Sequence, residues 1–278
     1  MNIIFNSRVL KKLNKLCFKA WFVCLLFFFG MSYAQREDFK TLVEKATKGD
    51  MEAQVRLATN YEKGIGVPQS FPKAVSWYEK AAEQGDVKSQ TKLGLCYYYR
   101  KGVVQSYEKA AYWFQKAAEQ GYAEAQSKLG VCYHKGQGVK QSDEQAVLWF
   151  QKAADQDFAE AQSFLGYCYY KGLGVVQSDS DAVLWYEKAA NQGDVEAQRN
   201  LGSYYFKGQG IPQSYTKAIF WFEKAANQGD KEAQTILGFC YYAGTGVDKS
   251  QKRAIYWFEK GCRNNSPKAC EYLNAIQQ

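Results

Sequence analysis

"AQSFLGYCYYKGLGVVQSDSDAVLWYEKAANQGD", residues 161–194, carries two helical periods separated by a glycine-rich turn. Ala161, Leu165 and Tyr169 follow one another at intervals of four, one face of a 3.6-residue helix. Ala182, Trp185, Tyr186 and Ala189 form a similar stripe further on. Gly172 falls where the first helix must stop, and glycine accepts the left-handed conformation of a helix C-terminus. Ser178 is placed to cap the second helix and Asp194 the one that follows, each offering a side-chain oxygen to unsatisfied backbone N–H groups. The stretch reads as helix–turn–helix, with one apolar face on each helix.

The pattern repeats along nearly the whole chain. Trp77, Trp113, Trp149, Trp185, Trp221 and Trp257 are spaced by 36 residues, as are Leu57, Leu93, Leu129, Leu165, Leu201, Leu237 and Leu273. Six units follow without insertion or deletion: 49–84, 85–120, 121–156, 157–192, 193–228 and 229–264. Such a unit cannot bury its apolar faces alone, and stacking neighbours makes a continuous core. Residues 35–48 read as a second helix lacking its partner, and residues 265–278 as a first helix lacking its own. These are the expected caps of a solenoid. In the core, close-packed alanines of the "KAA" segments let helices approach, and the tryptophan is expected to fill the space between neighbouring pairs.

Composition agrees with a globular all-α protein: 46% hydrophobic, 16% aromatic and 23% charged, with four prolines in 278 residues. The net charge of +8 is misleading. Arg8, Lys11, Lys12, Lys15 and Lys19 lie in residues 1–34, which hold no acidic residue; subtracting these five leaves +3 for the rest. The apolar run "AWFVCLLFFFGM" follows them, then "SYA" with small residues Ser32 and Ala34. Basic segment, short apolar run and small-x-small site make a secretory signal peptide over residues 1–34. The run is shorter than the about 20 residues that span a bilayer. The mature chain is therefore expected to be exported, periplasmic or secreted, with no membrane span. No Lys/Arg cluster remains to track a nucleic-acid backbone.

Periodicity also tests the tempting chemistry, because a catalytic residue is needed once whereas a packing residue recurs. Cys96, Cys132, Cys168 and Cys240 share one position on the leucine face and read as small buried residues. None has a second Cys or a His at zinc-ligand spacing. His134, the chain's one histidine, lies two residues after Cys132, so the two side chains leave the helix about 200° apart. The Gly-x-Gly pairs follow a helix and lack the strand and third glycine of a dinucleotide loop. No catalytic residue, metal site or cofactor is expected. Cys262 and Cys270 break the repeat instead, taking the places of the second Ala of "KAA" and the Gln of "AEAQ". As residues they admit two readings, a pair of free small side chains or a disulfide across the corner "GCRNNSPKAC".

The pattern A-x-x-x-L-G-x-x-Y-x-x-G-x-G-V followed by K-A-x-x-W-x-x-K-A-A-x-x-G resembles the Sel1-like repeat, a cousin of the tetratricopeptide repeat. The resemblance covers about residues 36–278. Departures are Arg100 for a turn glycine, Asp157 for the glycine opening the fourth unit, and Tyr204 at a cysteine position. It implies an α/α superhelical solenoid whose concave surface holds a peptide or protein partner, monomeric, with the first helix of each pair lining that surface. Cysteine-rich members carry helix-pair disulfides at the spacing of Cys262 and Cys270, which favours the disulfide reading. Some of those relatives bind or hydrolyse β-lactams, which makes a β-lactam- or cell-wall-active enzyme the alternative. Its S-x-x-K signature occurs three times at one repeat position, as "SFPK" (70–73), "SYEK" (106–109) and "SYTK" (214–217), with no S-D-N or K-T-G beside it. Three equivalent serines without partners read as helix caps, and the expected class is non-enzymatic. Off the leucine face, Arg56, Lys92, Tyr99, Lys128, Phe164, Tyr167 and Phe239 form a variable stripe, the candidate partner-binding residues; the apolar members could equally pack on adjacent helices.

Overall fold

The computed structural model describes residues 39–277, and the expected signal peptide over residues 1–34 lies outside them. Among the described residues the fold is all-α, with no strand. Two compact units divide the chain at residue 105/106. The first carries α1 (39–47), α2 (Met51–Lys63), α3 (Phe71–Glu83) and α4 (Val87–Tyr99). The second carries α5 (Tyr107–Glu119), α6 (Ala123–Lys135), α7 (Asp143–Ala154), α8 (Ala159–Lys171) and α9 (Asp179–Asn191). It continues with α10 (Val195–Lys207), α11 (Tyr215–Asn227), α12 (Lys231–Ala243), α13 (Gln251–Arg263) and α14 (Pro267–Gln277). Even-numbered helices are the first helices of the repeat and odd-numbered ones the second. Among the described residues no helix is long and apolar enough to cross a membrane.

The caps follow the sequence with one exception. Asp50, Asp86, Asp194 and Asp230 accept the amide three residues on, as do Ser106, Ser142, Ser178, Ser214 and Ser250. Ser70 makes no side-chain cap bond at the start of α3, which opens on Phe71–Pro72. Gly172 ends α8 at φ 69°. The second glycine of each turn has a separate task. A Cβ on Gly138 would land on the Tyr107 carbonyl, so this loop seats directly on the start of α5 only because the side chain is absent. The loop glutamine closes the turn: Gln177 Nε2 donates to the Tyr170 carbonyl at 3.0 Å, and Gln141 to that of His134 at 2.9 Å.

Core filling differs from the sequence expectation in one respect. Leu57, Leu93, Leu129, Leu165, Leu201 and Leu237 are fully buried, but the wedge against them is the aromatic after the tryptophan: Tyr78, Phe114, Phe150, Tyr186, Phe222 and Phe258. One residue further round the helix, about 100°, points at the leucine face, whereas the first four tryptophans lie at its edge and Trp221 and Trp257 are buried beside it. Trp77, Trp113, Trp149 and Trp185 are half-buried. Lysine ammonium groups lie over several of these indoles, at 4.0 Å for Lys152 on Trp149 and 4.2 Å for Lys188 on Trp185. A glycine follows Leu93, Leu129, Leu165, Leu201 and Leu237, and the wedge ring leaves little room there; a Cβ on Gly130 would sit 2.6 Å from the Phe150 ring.

Each corner between a second helix and the next first helix is braced by a buried glutamine. Gln54 donates to the Ala46 carbonyl, eight residues back, at 3.0 Å, and Gln90 to that of Ala82 at 3.0 Å. In the second unit Gln126, Gln162, Gln198 and Gln234 reach Ala118, Ala154, Ala190 and Ala226 at 3.1, 3.3, 3.1 and 2.8 Å. The same side chain also accepts a bond from 30 residues on, as from Gln192 to Gln162 at 2.8 Å and Gln228 to Gln198 at 2.9 Å. At the last corner the equivalents of Ala226 and Gln234 are Cys262 and Cys270, and these form a disulfide with Cα atoms 4.7 Å apart. A covalent bond replaces the hydrogen bond across the same eight residues.

Two predictions follow from the corner and the core. On the chain-entropy relation, a loop this short contributes about 2–3 kcal/mol. The Cys262→Ala/Cys270→Ala double variant should lose about that much protection at α13–α14, whereas Cys262→Ala/Cys270→Gln should regain about 1 kcal/mol by rebuilding the glutamine brace. Native-state hydrogen exchange of these two helices measures both. Burial pushes the four free thiols up, to about 11 for Cys96 and Cys240 and about 12 for Cys132 and Cys168. At pH 8 a thiol reagent should leave them unmodified in the native protein and label all four once denaturant opens the core.

Candidate partner-binding site

The chemistry that the sequence seemed to offer is absorbed by the scaffold. Cys132 is fully buried, while His134 turns away and its Nδ1 lies 2.6 Å from Asp143 Oδ1, tying the end of α6 to the start of α7. Ser106 and Ser214 accept the amides of Lys109 and Lys217 at 3.2 and 3.3 Å. In two of the three S-x-x-K copies the lysine lies over a tyrosine ring, Lys73 over Tyr61 at 5.3 Å and Lys217 over Tyr205 at 5.1 Å. Serine oxygen and lysine nitrogen are thus committed to different neighbours, with no nucleophile–base geometry. Among the described residues no group of three His, Cys, Asp or Glu could hold a metal ion.

The stripe divides into side chains already engaged and side chains facing open space. In the first unit Lys92 pairs with Glu62 at 3.4 Å, and Arg56 and Tyr99 are exposed. In the second, Lys128 grips both carboxylate oxygens of Glu160 at 2.7 and 2.8 Å. Much of the basic character expected of the stripe is therefore matched by acids of the scaffold itself. Phe164 stacks on Phe150, with centroids 4.8 Å apart and planes 11° apart. Phe239 packs edge-on against Phe258 and Tyr272 at 5.5 and 4.1 Å. These two rings serve packing, although Phe239 keeps an exposed edge.

Tyr167 has a different setting. With Tyr170 of α8, Tyr186 of α9, and Glu196, Asn200, Ser203, Tyr204 and Lys207 of α10, and Gln209 beyond it, it lines a cavity of about 220 Å³. Two departures from the repeat create it. Tyr186 stands where four of the other units have phenylalanine, and Tyr204 where four have cysteine. Both are buried, their rings 5.9 Å apart, and Tyr170 meets Tyr204 edge-on at 6.1 Å. Tyr204 donates to Asp179 Oδ1 at 3.3 Å, and Gln209 Nε2 holds both Asp179 oxygens at 3.0 Å. Asn200 bonds the Tyr186 hydroxyl. Burial pushes the Tyr186 and Tyr204 phenols well above the ordinary tyrosine range, reinforced for Tyr204 by the Asp179 charge and for Tyr186 by Tyr204 and Glu196. Both phenols therefore stay protonated at physiological pH, the Tyr204 O–H donating to Asp179. Sequence reasoning found Tyr167 and noted Tyr204 as a departure, but did not bring them together. The available signal was that Tyr186, Asn200 and Tyr204 are anomalous positions clustered within one repeat length.

This arrangement of helices has known counterparts. The Sel1 repeat model matches residues 52–86, 87–122, 123–158, 159–194, 195–230 and 231–266, a frame two to three residues later than the one used above. A protective antigen of uropathogenic Escherichia coli strains displaying an SLR fold is 35% identical, with a TM-score of 0.79 over 85% of this chain and 51% of that one. A Sel1 repeat protein from Oxalobacter formigenes is 34% identical, with a TM-score of 0.79 over 85% of this chain and 68% of that one. The chain thus spans about half of the first protein and about two thirds of the second. An immunity protein from Pseudomonas aeruginosa, 20% identical with a TM-score of 0.50, shares the fold alone. No curated protein matches the chain significantly. Six consecutive family matches, and solenoids one third identical over most of the chain, accord with the leucine, glycine and aromatic positions that build this core: the chain belongs to the Sel1 repeat family.

Proposed function

We propose that the chain is an exported interaction scaffold, and that residues 106–277 hold a peptide or protein segment with one side chain inserted in the tyrosine cavity. The observation that carries this reading is the convergence of Tyr186, Asn200 and Tyr204 on one space. Packing alone is satisfied by phenylalanine and cysteine in other units, so the hydroxyls are surplus to the core. A cavity of about 220 Å³ is below the range for drug-sized ligands, roughly 300–1,000 Å³, and suits a single side chain. Lys207, the Tyr186 phenol and Asn200 supply donors to its lining, the Tyr204 O–H being spent on Asp179, so the inserted group is a hydrogen-bond acceptor, a carboxylate or an amide. Apolar ring faces of Tyr167 and Tyr170 accommodate the rest of the segment. The family is one of repeat solenoids suited to protein contacts, which agrees with this use. No observation favours a β-lactam- or cell-wall-active enzyme.

Export rests on the basic–apolar–small pattern of residues 1–34 and is compatible with the Cys262–Cys270 disulfide, since such bonds persist in oxidising compartments. N-terminal sequencing of the protein recovered from outside the cytoplasm should begin at Gln35. A mature chain that retains residues 1–34 would count against an export signal.

Cross-linking in the native cell envelope, followed by mass spectrometry, should place a partner segment against Tyr167 or Lys207. The Tyr186→Phe/Tyr204→Cys variant restores residues that other units already carry, so its thermal unfolding should stay close to that of the parent. Its affinity for the captured segment should fall by about tenfold or more, the effect of losing hydrogen bonds at a buried anchor. Unchanged affinity in this folded variant would sink the proposal.

A further inference from the structure

Many of the polar atoms around the tyrosine cavity are committed to neighbours, and what remains is selective. The Tyr204 O–H goes to Asp179 Oδ1 at 3.3 Å, and Gln209 Nε2 spans both Asp179 oxygens at 3.0 Å. Ser203 Oγ donates to the Arg199 carbonyl at 3.1 Å. The Asn200 bond works against the burial that raises the Tyr186 pKa, so Asn200 N–H is its donor and the Tyr186 oxygen its acceptor. These bonds leave the Tyr186 O–H to be given, on the most deeply buried residue of the lining. They also leave the side-chain carbonyl oxygens of Asn200 and Gln209 and the lone pairs of Ser203 to be filled. One donor is thus set beside several acceptors.

Charge does not favour an anion there. Residues 159–209 supply every lining side chain, and they hold six acidic and four basic residues. The lining itself has one charge of each sign, Glu196 and Lys207. Arg199 is drawn away to Glu232 at 2.7 Å, and Lys128 of α6 is spent on Glu160. A carboxylate would therefore meet little compensating charge, and its oxygens would face the lone pairs of Asn200, Ser203 and Gln209. An ammonium or guanidinium only donates and would leave the buried Tyr186 O–H without an acceptor. A hydroxyl brings a single O–H for several waiting oxygens. A primary amide is neutral, accepts through its carbonyl and donates two N–H groups.

We infer that the side chain this cavity takes is a carboxamide, glutamine or asparagine, whose carbonyl accepts the Tyr186 O–H while its NH₂ donates to the Asn200 and Ser203 oxygens. The inference rests on the proposed role of the cavity and narrows its occupant from any acceptor to one neutral group. It also gives the departures from the repeat a shared purpose. Tyr186 supplies the donor, Asn200 orients that phenol and supplies an acceptor, and Tyr204 pins Asp179 so that its charge is already satisfied. A site that pairs with an N–H rejects the analogue lacking it, because its own polar groups are then left unmet.

Two-dimensional NMR of the full chain tests this, with titration at pH 7 by three probes: the N-acetyl methylamides of glutamine, glutamate and methionine. The glutamine probe should shift the Asn200 side-chain amide and the Ser203 backbone amide. It should bind at least about tenfold more tightly than either of the others. Tyr186→Phe carries the residue that four other units have at this position, and in it the glutamine probe should lose about tenfold. A glutamate probe that binds as tightly as glutamine overturns the carboxamide while the cavity stands as a side-chain pocket. A methionine probe that matches glutamine does the same, since the polar lining would then be idle. If no probe shifts any lining residue up to its solubility limit, the carboxamide and the proposed role of the cavity fall together.

Discussion

At every corner but the last where a second helix gives way to the next first helix, a buried glutamine side chain reaches back eight residues to a backbone carbonyl. The carbonyl belongs to the last turn of a helix, where it also accepts the backbone N–H three residues on, as Ala82 does from Gly85 at 3.0 Å and Ala190 from Gly193 at 3.1 Å. Leaving the buried glutamine N–H unpaired would cost about 1–3 kcal/mol, so its bond to this carbonyl holds the angle at which the chain turns. Its other atom takes a bond from a side chain 30 residues further along, which links each corner to the next. The brace therefore transmits register from repeat to repeat, and the exact spacing of leucines and tryptophans depends on it.

Seen in this light the disulfide is a local answer to a local problem. The last corner has one helix beyond it and no further repeat to hold that helix in place. Cys262 and Cys270 occupy the two ends of the brace and join them covalently. Gly261 stands where the other corners have alanine, and a Cβ there would come within 2.8 Å of Ala269. The helices at this end thus approach more closely than alanine would allow, and the cross-link does not depend on the stacking of a following unit.

The repeat also separates packing from function by comparison of equivalent positions. Phenylalanine and cysteine satisfy the core in most units, which makes the hydroxyls of Tyr186 and Tyr204 conspicuous. His134 shows the opposite case. It is unique in the chain, yet its partner Asp143 lies on the adjacent helix and the pair closes a structural joint. Uniqueness alone was a poor guide; departure from a position whose packing task is known was a better one.

Helix boundaries, the turn glycines, the aspartate and serine caps and the leucine core were legible in the chain, because each follows from contacts within about 36 residues that recur six times. The choice between the tryptophan and the residue after it as the core wedge was not legible, since both lie near the same stripe and only the neighbouring helix decides which fits against glycine. The brace glutamines were visible as a conserved letter of the repeat but not as a bond, because polar residues in a helix are read as solvent-facing until burial is known. The sequence by itself determined the architecture and the positions that depart from it. The tertiary structure alone decided that Tyr167, Tyr186 and Tyr204 surround one cavity, and that Lys92 and Lys128 are paired with acids of their own chain. Those relations join residues about 20 to 40 positions apart, across helices whose relative rotation is set by side-chain packing and is not encoded in the period of either one.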